Sequence, residues 1–158
     1  MAAEDKVQQI NHPTDPGRLS DRVITGLLEA SGQSYKAGAV VIASSGKVAT
    51  AVNAQVTVIL GLADKKAAGV VDSEVVLLPS IGLEFEATLE DQAVGDLPLA
   101  QAHLFAQFGL RVTSGGLWYI NFNDTSNKAA TVIALVDPVG TVQGRVRAKF
   151  IDSVTVFA

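Results

Sequence analysis

Four carboxylates between residues 84 and 91 are the densest group of side chains that could act as acids, bases or cation ligands. Glu84 and Glu86 alternate with Leu83, Phe85 and Ala87, which is typical of a strand with one apolar and one acidic face. If both glutamates were buried, each would perturb the pKa of the other. A glycosidase-type pair needs a second acid across the substrate, and the sequence places none. We therefore favour an exposed acidic face.

The two histidines have no partners at a spacing that suits nucleophilic catalysis or metal binding. His103 lies between Ala102 and Leu104 in a predicted helix, which favours a packing residue over a base. Cysteine is absent, and no nucleophile elbow, P-loop or dinucleotide fingerprint occurs. The sequence therefore predicts a protein that is not an enzyme and needs no cofactor.

A run of oxygen-bearing side chains from Asn123 to Asn127 offers possible cation ligands at short spacing. It lacks the full ligand set of an EF-hand. We interpret it as a polar turn, with a weak calcium site as the alternative.

A row of basic side chains is the most specific charge feature. Arg145, Arg147 and Lys149 alternate with apolar residues up to position 150. The alternation predicts a strand with one buried face and one cationic face. Three interpretations stay open: a solvated outer face, charge that protects an edge strand, or a row that docks on carboxylates of a partner.

Trp118 and Tyr119 are adjacent in a predicted strand, so their rings are expected on opposite faces. One ring should belong to the core, and the other should be exposed or lie in an interface. A carbohydrate-binding β-sandwich that stacks sugars on one of these rings is therefore an alternative function.

The elements that position these residues are short apolar runs separated by turn clusters. Strands are predicted at residues 22–29, 39–43, 47–51, 56–62, 74–78, 82–88, 117–120, 131–136, 142–150 and 154–157, the last as a short strand or a tail. For residues 22–29 a helix is the alternative, because Val23 and Leu27 also have helical spacing. Asp96 as N-cap, Pro98 in the first turn and Gly109 at the end predict one helix over 96–108. We expect a mainly β protein, a barrel or sandwich of β-tulip-like form with one short α-helix.

The length of 158 residues suits one domain. Residues 1–20 contain His12, Pro13 and Pro16 and are predicted to be an extended arm that orders against a neighbouring subunit, or a disordered tail. Residues 21–158 are predicted to form the β-rich domain. A further division into a barrel subdomain over 21–80 and a second β subdomain with the helix over 81–158 is the alternative.

Hydrophobic residues make up 48% of the chain and charged residues only 18%, so we expect other subunits or a partner to cover part of the surface. The net charge of −4 argues against binding nucleic acid. No apolar stretch is long enough to span a membrane, and the polar N-terminus does not resemble a signal peptide. We expect a soluble protein that is synthesised in the cytoplasm and has no membrane partner.

Two portions of the chain resemble the capsid decoration (cement) proteins of tailed bacteriophages with HK97-type heads. The first contains AGAVVI at 37–42, SGKV at 45–48 and VILGLA at 58–63. The second contains Phe85, FGL at 108–110, LWYIN at 117–121, DTSN at 124–127 and GRVRAKF at 144–150.

The resemblance implies a non-enzymatic clamp on the outer capsid surface of the virion. It implies the major capsid protein and further copies of the same chain, as a homotrimer, for partners, with an N-terminal arm that reaches a neighbouring subunit. A tail, baseplate or head-fibre protein is the alternative. We assign to the capsid or subunit interface the residues His12, Pro13, Pro16, Trp118, Tyr119, Arg145, Arg147 and Lys149.

Overall fold

The computed structural model describes residues 23–90 and 97–157. These residues form ten β-strands in two sheets, which confirms the prediction of a mainly β protein with a barrel. The predicted arm, with His12, Pro13 and Pro16, lies outside the described residues, as does Asp96. No helix within 23–90 and 97–157 is long and apolar enough to cross a membrane.

The first sheet is built from the N-terminal half of the described chain. Its strands are β1 Ile24–Leu28, β2 Val40–Ser44, β3 Lys47–Thr50, β4 Ile59–Ala63 and β5 Glu74–Pro79. They pair antiparallel in the order β1-β5-β4-β2-β3. The strands predicted at 39–43 and 47–51 pair as a hairpin, because Ser45 and Gly46 both adopt the positive φ of a two-residue turn. One parallel bridge between Glu29 and Val48 links the two outer strands, so the sheet curls toward closure.

The second sheet closes completely into a barrel. Its strands are β6 Glu84–Glu90, β7 Gln107–Val112, β8 Trp118–Asn121, β9 Ala130–Leu135 and β10 Arg145–Phe150. The order around the barrel is β10-β6-β8-β7-β9. The β6–β8 pair is parallel and short, and the other pairs are antiparallel. Closure leaves β10 paired on both sides, so the interpretation of the basic row as protection of an edge strand is wrong.

One apolar core runs through both sheets. In the first sheet it contains Val41, Leu62 and Leu77, each fully buried. In the barrel, Phe85 and Phe150 pack against each other with ring centroids 4.8 Å apart. The shared core means that the two sheets stabilise each other through apolar burial.

The α-helix predicted over 96–108 is wrong for the described part of that range. Residues Gln101–His103 form a single 3-10 turn, and Gly109 lies inside β7 instead of ending a helix. The backbone of this stretch bonds to distant residues: the Leu99 amide donates to the Thr141 carbonyl, and the Phe105 amide donates to the Val132 carbonyl. These long-range bonds replace the i to i−4 bonds of a helix.

Candidate functional site

The basic row lies on the outer face of β10, as the alternation predicted. Val146, Ala148 and Phe150 are buried, while Arg147 is half-buried and Lys149 is exposed. The neighbouring strand β6 supplies the acidic face: Arg147 lies opposite Glu86, and Lys149 lies opposite Glu84. Opposite charges directly across a strand pair attract each other. The row is therefore one half of a charge ladder whose other half belongs to the same barrel.

Arg145 is the most strongly held member of this ladder. Its Nε and Nη2 donate to the Asp137 carboxylate at 3.3 and 2.9 Å, and its Nη1 lies 3.6 Å from Glu86 Oε1. The hydrogen bonds to Asp137, with the charge of that carboxylate, raise the pKa of Arg145. The buried Nε of Arg147 has no hydrogen-bond partner in the described residues. Because Asp137 and Glu86 already contact Arg145, the basic row has less unpaired positive charge for a partner than the sequence suggested.

Trp118 and Tyr119 point to opposite faces of β8, and both rings are buried. Trp118 is 3% exposed and belongs to the main core, while Tyr119 is fully buried beside Leu117. The expectation that one ring is exposed is therefore wrong. Neither ring offers a platform on which a sugar could stack. Strand β6 also separates β8 from the basic row, so the two groups do not form one surface.

His103 is a packing and capping residue in the 3-10 turn. Its Nδ1 accepts a hydrogen bond from the Ala100 amide at 3.0 Å, and its ring lies against those of Phe108 and Phe122. Burial lowers the pKa of His103, so the neutral ring is favoured. The residues described contain no cluster of His, Asp and Glu that could hold a metal ion.

The predicted polar turn at 123–127 is ordered around Asp124. Its Oδ1 accepts the amides of Ser126 and Asn127, and both its oxygens accept from the Asn127 side chain at 3.2 Å. A carboxylate satisfied in this way organises a turn. The turn packs on Gly109, where a Cβ atom would lie 2.7 Å from the Asp124 Cγ.

An exposed aromatic side chain was missed by the sequence reasoning. Phe105 is 73% exposed and has φ +67, an unusual conformation for a bulky residue. Two hydrogen bonds with Val132 hold this conformation: the Phe105 amide donates at 2.8 Å, and the Ala106 carbonyl accepts at 3.0 Å. The only sequence signal was the position of Phe105 in the predicted helix, where it lies outside the apolar stripe of Leu97, Ala100, Leu104 and Phe108.

A second apolar surface lies where residues 97–100 meet the β9–β10 connection. The Pro98–Val142 bridge and the bond from the Leu99 amide to Thr141 join the two segments. The exposed side chains there belong to Leu97, Val139 and Val142. An apolar patch made of several neighbouring side chains is typical of surfaces that contact other proteins, whereas single exposed apolar side chains are common on any protein.

A polar cleft of about 290 Å³ lies between the first sheet and the barrel. Its lining residues are Asn53, Ala54, Leu110, Arg111, Asn121, Asn123 and Asp124. They come from the β3–β4 loop, from β7, and from the end of β8 with the turn that follows it. No local motif could have predicted the cleft, because three distant segments assemble it.

No protein-family model matches the chain, and no curated protein matches it either.

Proposed function

We propose that the chain is a structural virion protein that binds the outer surface of an icosahedral phage capsid and stabilises contacts between capsomers. The major capsid protein is the proposed partner, and the proposed working form is a homotrimer. The proposal rests on the resemblance of residues 37–63 and 85–150 to capsid decoration proteins and on one structural observation. That observation is the exposure of Phe105.

Phe105 supports a binding role because its exposure is built into the backbone. A positive φ at a bulky residue costs of the order of 1–3 kcal/mol, so it persists only where neighbouring contacts enforce it. The bonds with Val132 enforce it here, and Val132 is itself fully buried in the barrel. A rigid scaffold that presents an aromatic ring to solvent is suited to serve as an anchor in a partner's pocket.

The charge ladder supports an apolar rather than an electrostatic attachment. Arg145 is neutralised by Asp137, and the basic row lies beside the acidic row of β6. Charge matched inside one subunit contributes little to steering toward a partner. Many equivalent apolar contacts on one shell would add through multivalency.

The direct test is attachment to expanded phage heads that lack the protein. Purified chain is mixed with such heads, and occupancy is measured by cosedimentation and electron microscopy. We expect saturable binding, added density on the outer surface, and heads that resist heat better than undecorated ones. Absence of binding, or heads whose heat resistance is unchanged at full occupancy, would refute the proposal.

The contribution of Phe105 is tested with Phe105→Ala against a matched control. The control is Val70→Ala, which truncates an exposed apolar side chain in the first sheet's β4–β5 loop. We expect Phe105→Ala to lower head occupancy or trimer content by at least about tenfold, since an aromatic anchor contributes about 2 kcal/mol or more. We expect Val70→Ala to behave like the unchanged protein. Equal behaviour of the two variants would remove Phe105 from the interface.

The alternative is a tail, baseplate or head-fibre protein of the same virion. Location separates the two candidates: gold-labelled antibody against the chain should decorate the head and not the tail.

A further inference from the structure

The polar cleft has walls that are fixed by hydrogen bonds. The Ala54 amide donates to the Leu110 carbonyl at 2.9 Å, and the Val112 amide donates to Asn53 Oδ1 at 2.7 Å. These bonds attach the β3–β4 loop to β7 beyond the part of β7 that pairs with β9. The cleft is therefore part of the folded scaffold and does not depend on a mobile loop.

The same bonds set the orientation of two amide side chains. Asn53 Oδ1 is occupied by the Val112 amide, and Asn121 Oδ1 accepts the Asn123 amide at 3.1 Å. The free half of each side chain is therefore its NH2 group. Asn121 is only 7% exposed, and across residues 23–90 and 97–157 neither NH2 group donates to a protein acceptor. Asn53 is exposed, so both NH2 groups can reach a ligand that enters the cleft.

Arg111 adds a positive charge to these donors. In the described part of the chain its guanidinium forms no salt bridge, in contrast to Arg145 with Asp137. The one carboxylate in the lining, Asp124, is already occupied by the amides of Ser126 and Asn127 and by the Asn127 side chain. The cleft thus presents a guanidinium and two free NH2 groups as donors, while the oxygens of its one carboxylate are bonded within the Asp124 turn.

We propose that this cleft is a binding site for a carboxylate group. A carboxylate offers only acceptors, matches the fork of an arginine with two oxygens, and could also accept from the two asparagine NH2 groups. The volume of about 290 Å³ lies at the lower end of ligand pockets, so it suits a small acid or a single acidic side chain. A metal cation does not suit a site with a surplus of donors. The site does not depend on the proposed capsid role.

The test is a titration of the full isotope-labelled chain followed by nuclear magnetic resonance. The signals observed are the side-chain NH2 groups of Asn53 and Asn121 and the Nε–H of Arg111. Sodium acetate is the probe, acetamide is its neutral counterpart, and sodium chloride controls for ionic strength. We expect saturable shifts of these three groups with acetate only. Sodium chloride shifts as large as the acetate shifts would overturn the proposal. So would acetate shifts that do not saturate and that spread over the surface lysines.

Two variants remove the site chemically. Asn121→Asp keeps an oxygen for the Asn123 amide and replaces the free NH2 group by a negative charge. Arg111→Gln removes the cation and keeps a polar side chain of similar reach. We expect each to weaken acetate binding by at least about tenfold, since hydrogen bonds to charged groups are strong. Lys65→Gln, in an exposed loop, is the matched control and should leave binding unchanged. Unchanged affinity in both site variants would contradict the proposal even if acetate binds.

A second arm identifies the source of the carboxylate. A blocked Gly-Glu-Gly peptide is compared with its Gly-Gln-Gly counterpart under the same conditions. Stronger saturation by the glutamate peptide than by acetate would assign the site to an acidic side chain of a partner protein. Saturation by acetate without a response to the glutamate peptide would assign it to a free small acid.

Discussion

Arg147 on β10 lies directly opposite Glu86 on β6, in the middle of the ladder of charges that crosses the barrel surface. Arg145 also approaches Glu86, with its Nη1 3.6 Å from Oε1. The two strands are far apart in sequence, yet their charged faces are in register. A substitution in the basic row therefore acts on the fold as well as on any partner, and the two effects need to be separated.

We predict that Arg147→Glu lowers the free energy of unfolding by about 1 kcal/mol, because like charges then face each other across the strand pair. Adding Glu86→Lys restores an opposite pair across the strands but replaces the carboxylate near Arg145 by a cation, so the double variant should recover part of the loss. Urea unfolding of the unchanged chain, both single variants and the double variant gives the coupling energy. Additive effects of the two substitutions would show that these side chains do not interact.

The same variants decide whether the basic row docks on the capsid. If occupancy of phage heads falls in Arg147→Glu and recovers in the double variant, the row acts through the fold. If occupancy stays low in a double variant of normal stability, the row contacts the shell.

Gly61 is predicted to be intolerant of any side chain. It lies in β4 with φ +149, and a Cβ atom there would overlap the Leu78 carbonyl and lie 3.0 Å from the Ser80 amide nitrogen. We expect Gly61→Ala to lower the free energy of unfolding by roughly 3 kcal/mol, from backbone strain and overpacking together. Gly46→Ala is the matched control, since Gly46 has φ +77 with no atom within 4 Å. It should cost about 1 kcal/mol, from strain alone.

Thermal unfolding of both glycine variants measures this difference. Equal losses in the two variants would mean that the contact with the β5 backbone does not restrict Gly61.

The elements that could be predicted are those determined by residues close to each other in the sequence. The hairpin between β2 and β3 follows from Ser45-Gly46, whose backbone conformation a tight turn requires. The alternation on β10 follows from its own residues. The strand β4 was predicted to start at 56 but begins at Ile59, because Val58 has a positive φ that ends the extended backbone.

Features that depend on distant residues could not be predicted. The stretch before Phe108 has helical spacing, but Thr141 and Val132 bind its backbone and prevent a helix. Gly109 resembled a helix terminator, whereas its role is to admit the Asp124 turn. The cleft brings Asn53, Arg111 and Asn121 together only after both sheets have formed.

Glu29 is predicted to hold the β4–β5 loop. Its carboxylate is 1% exposed and accepts the amides of Ala68 and Gly69, each at 2.8 Å. Glu29→Gln places an NH2 group against one of these donors, so the free energy of unfolding should fall by about 1–3 kcal/mol. Hydrogen exchange at Ala68 and Gly69 should accelerate. Asp64→Asn, an exposed carboxylate in the same loop, is the control and should change neither measurement.

The same variant should change the titration of Tyr35. Burial, and then the negative charge of Glu29, raise the pKa of Tyr35 to about 12. The folded protein then keeps the Tyr35 proton over a range in which the unfolded chain releases it, so stability should fall as pH rises from 10 to about 12. Glu29→Gln should lower this pKa but leave it above 10, because burial remains. Phenolate absorbance measures it, with Tyr35→Phe to assign the signal; an unchanged pKa in Glu29→Gln would contradict the contribution of the charge.

His103 is predicted to make stability depend on pH on the acidic side. Its neutral Nδ1 accepts the Ala100 amide, and burial lowers its pKa below the ordinary value of 6.5. The unfolded chain therefore binds the proton more readily, so the contribution of His103 is complete above pH 6.5 and is lost as pH falls through the folded pKa. His103→Gln keeps an acceptor that can cap the turn and removes the titration. As pH falls below 6.5, the unchanged chain should therefore lose unfolding free energy relative to His103→Gln. A difference that stays constant with pH, or an imidazole pKa at or above 6.5 by proton resonance, would show that the ring is not held neutral by burial.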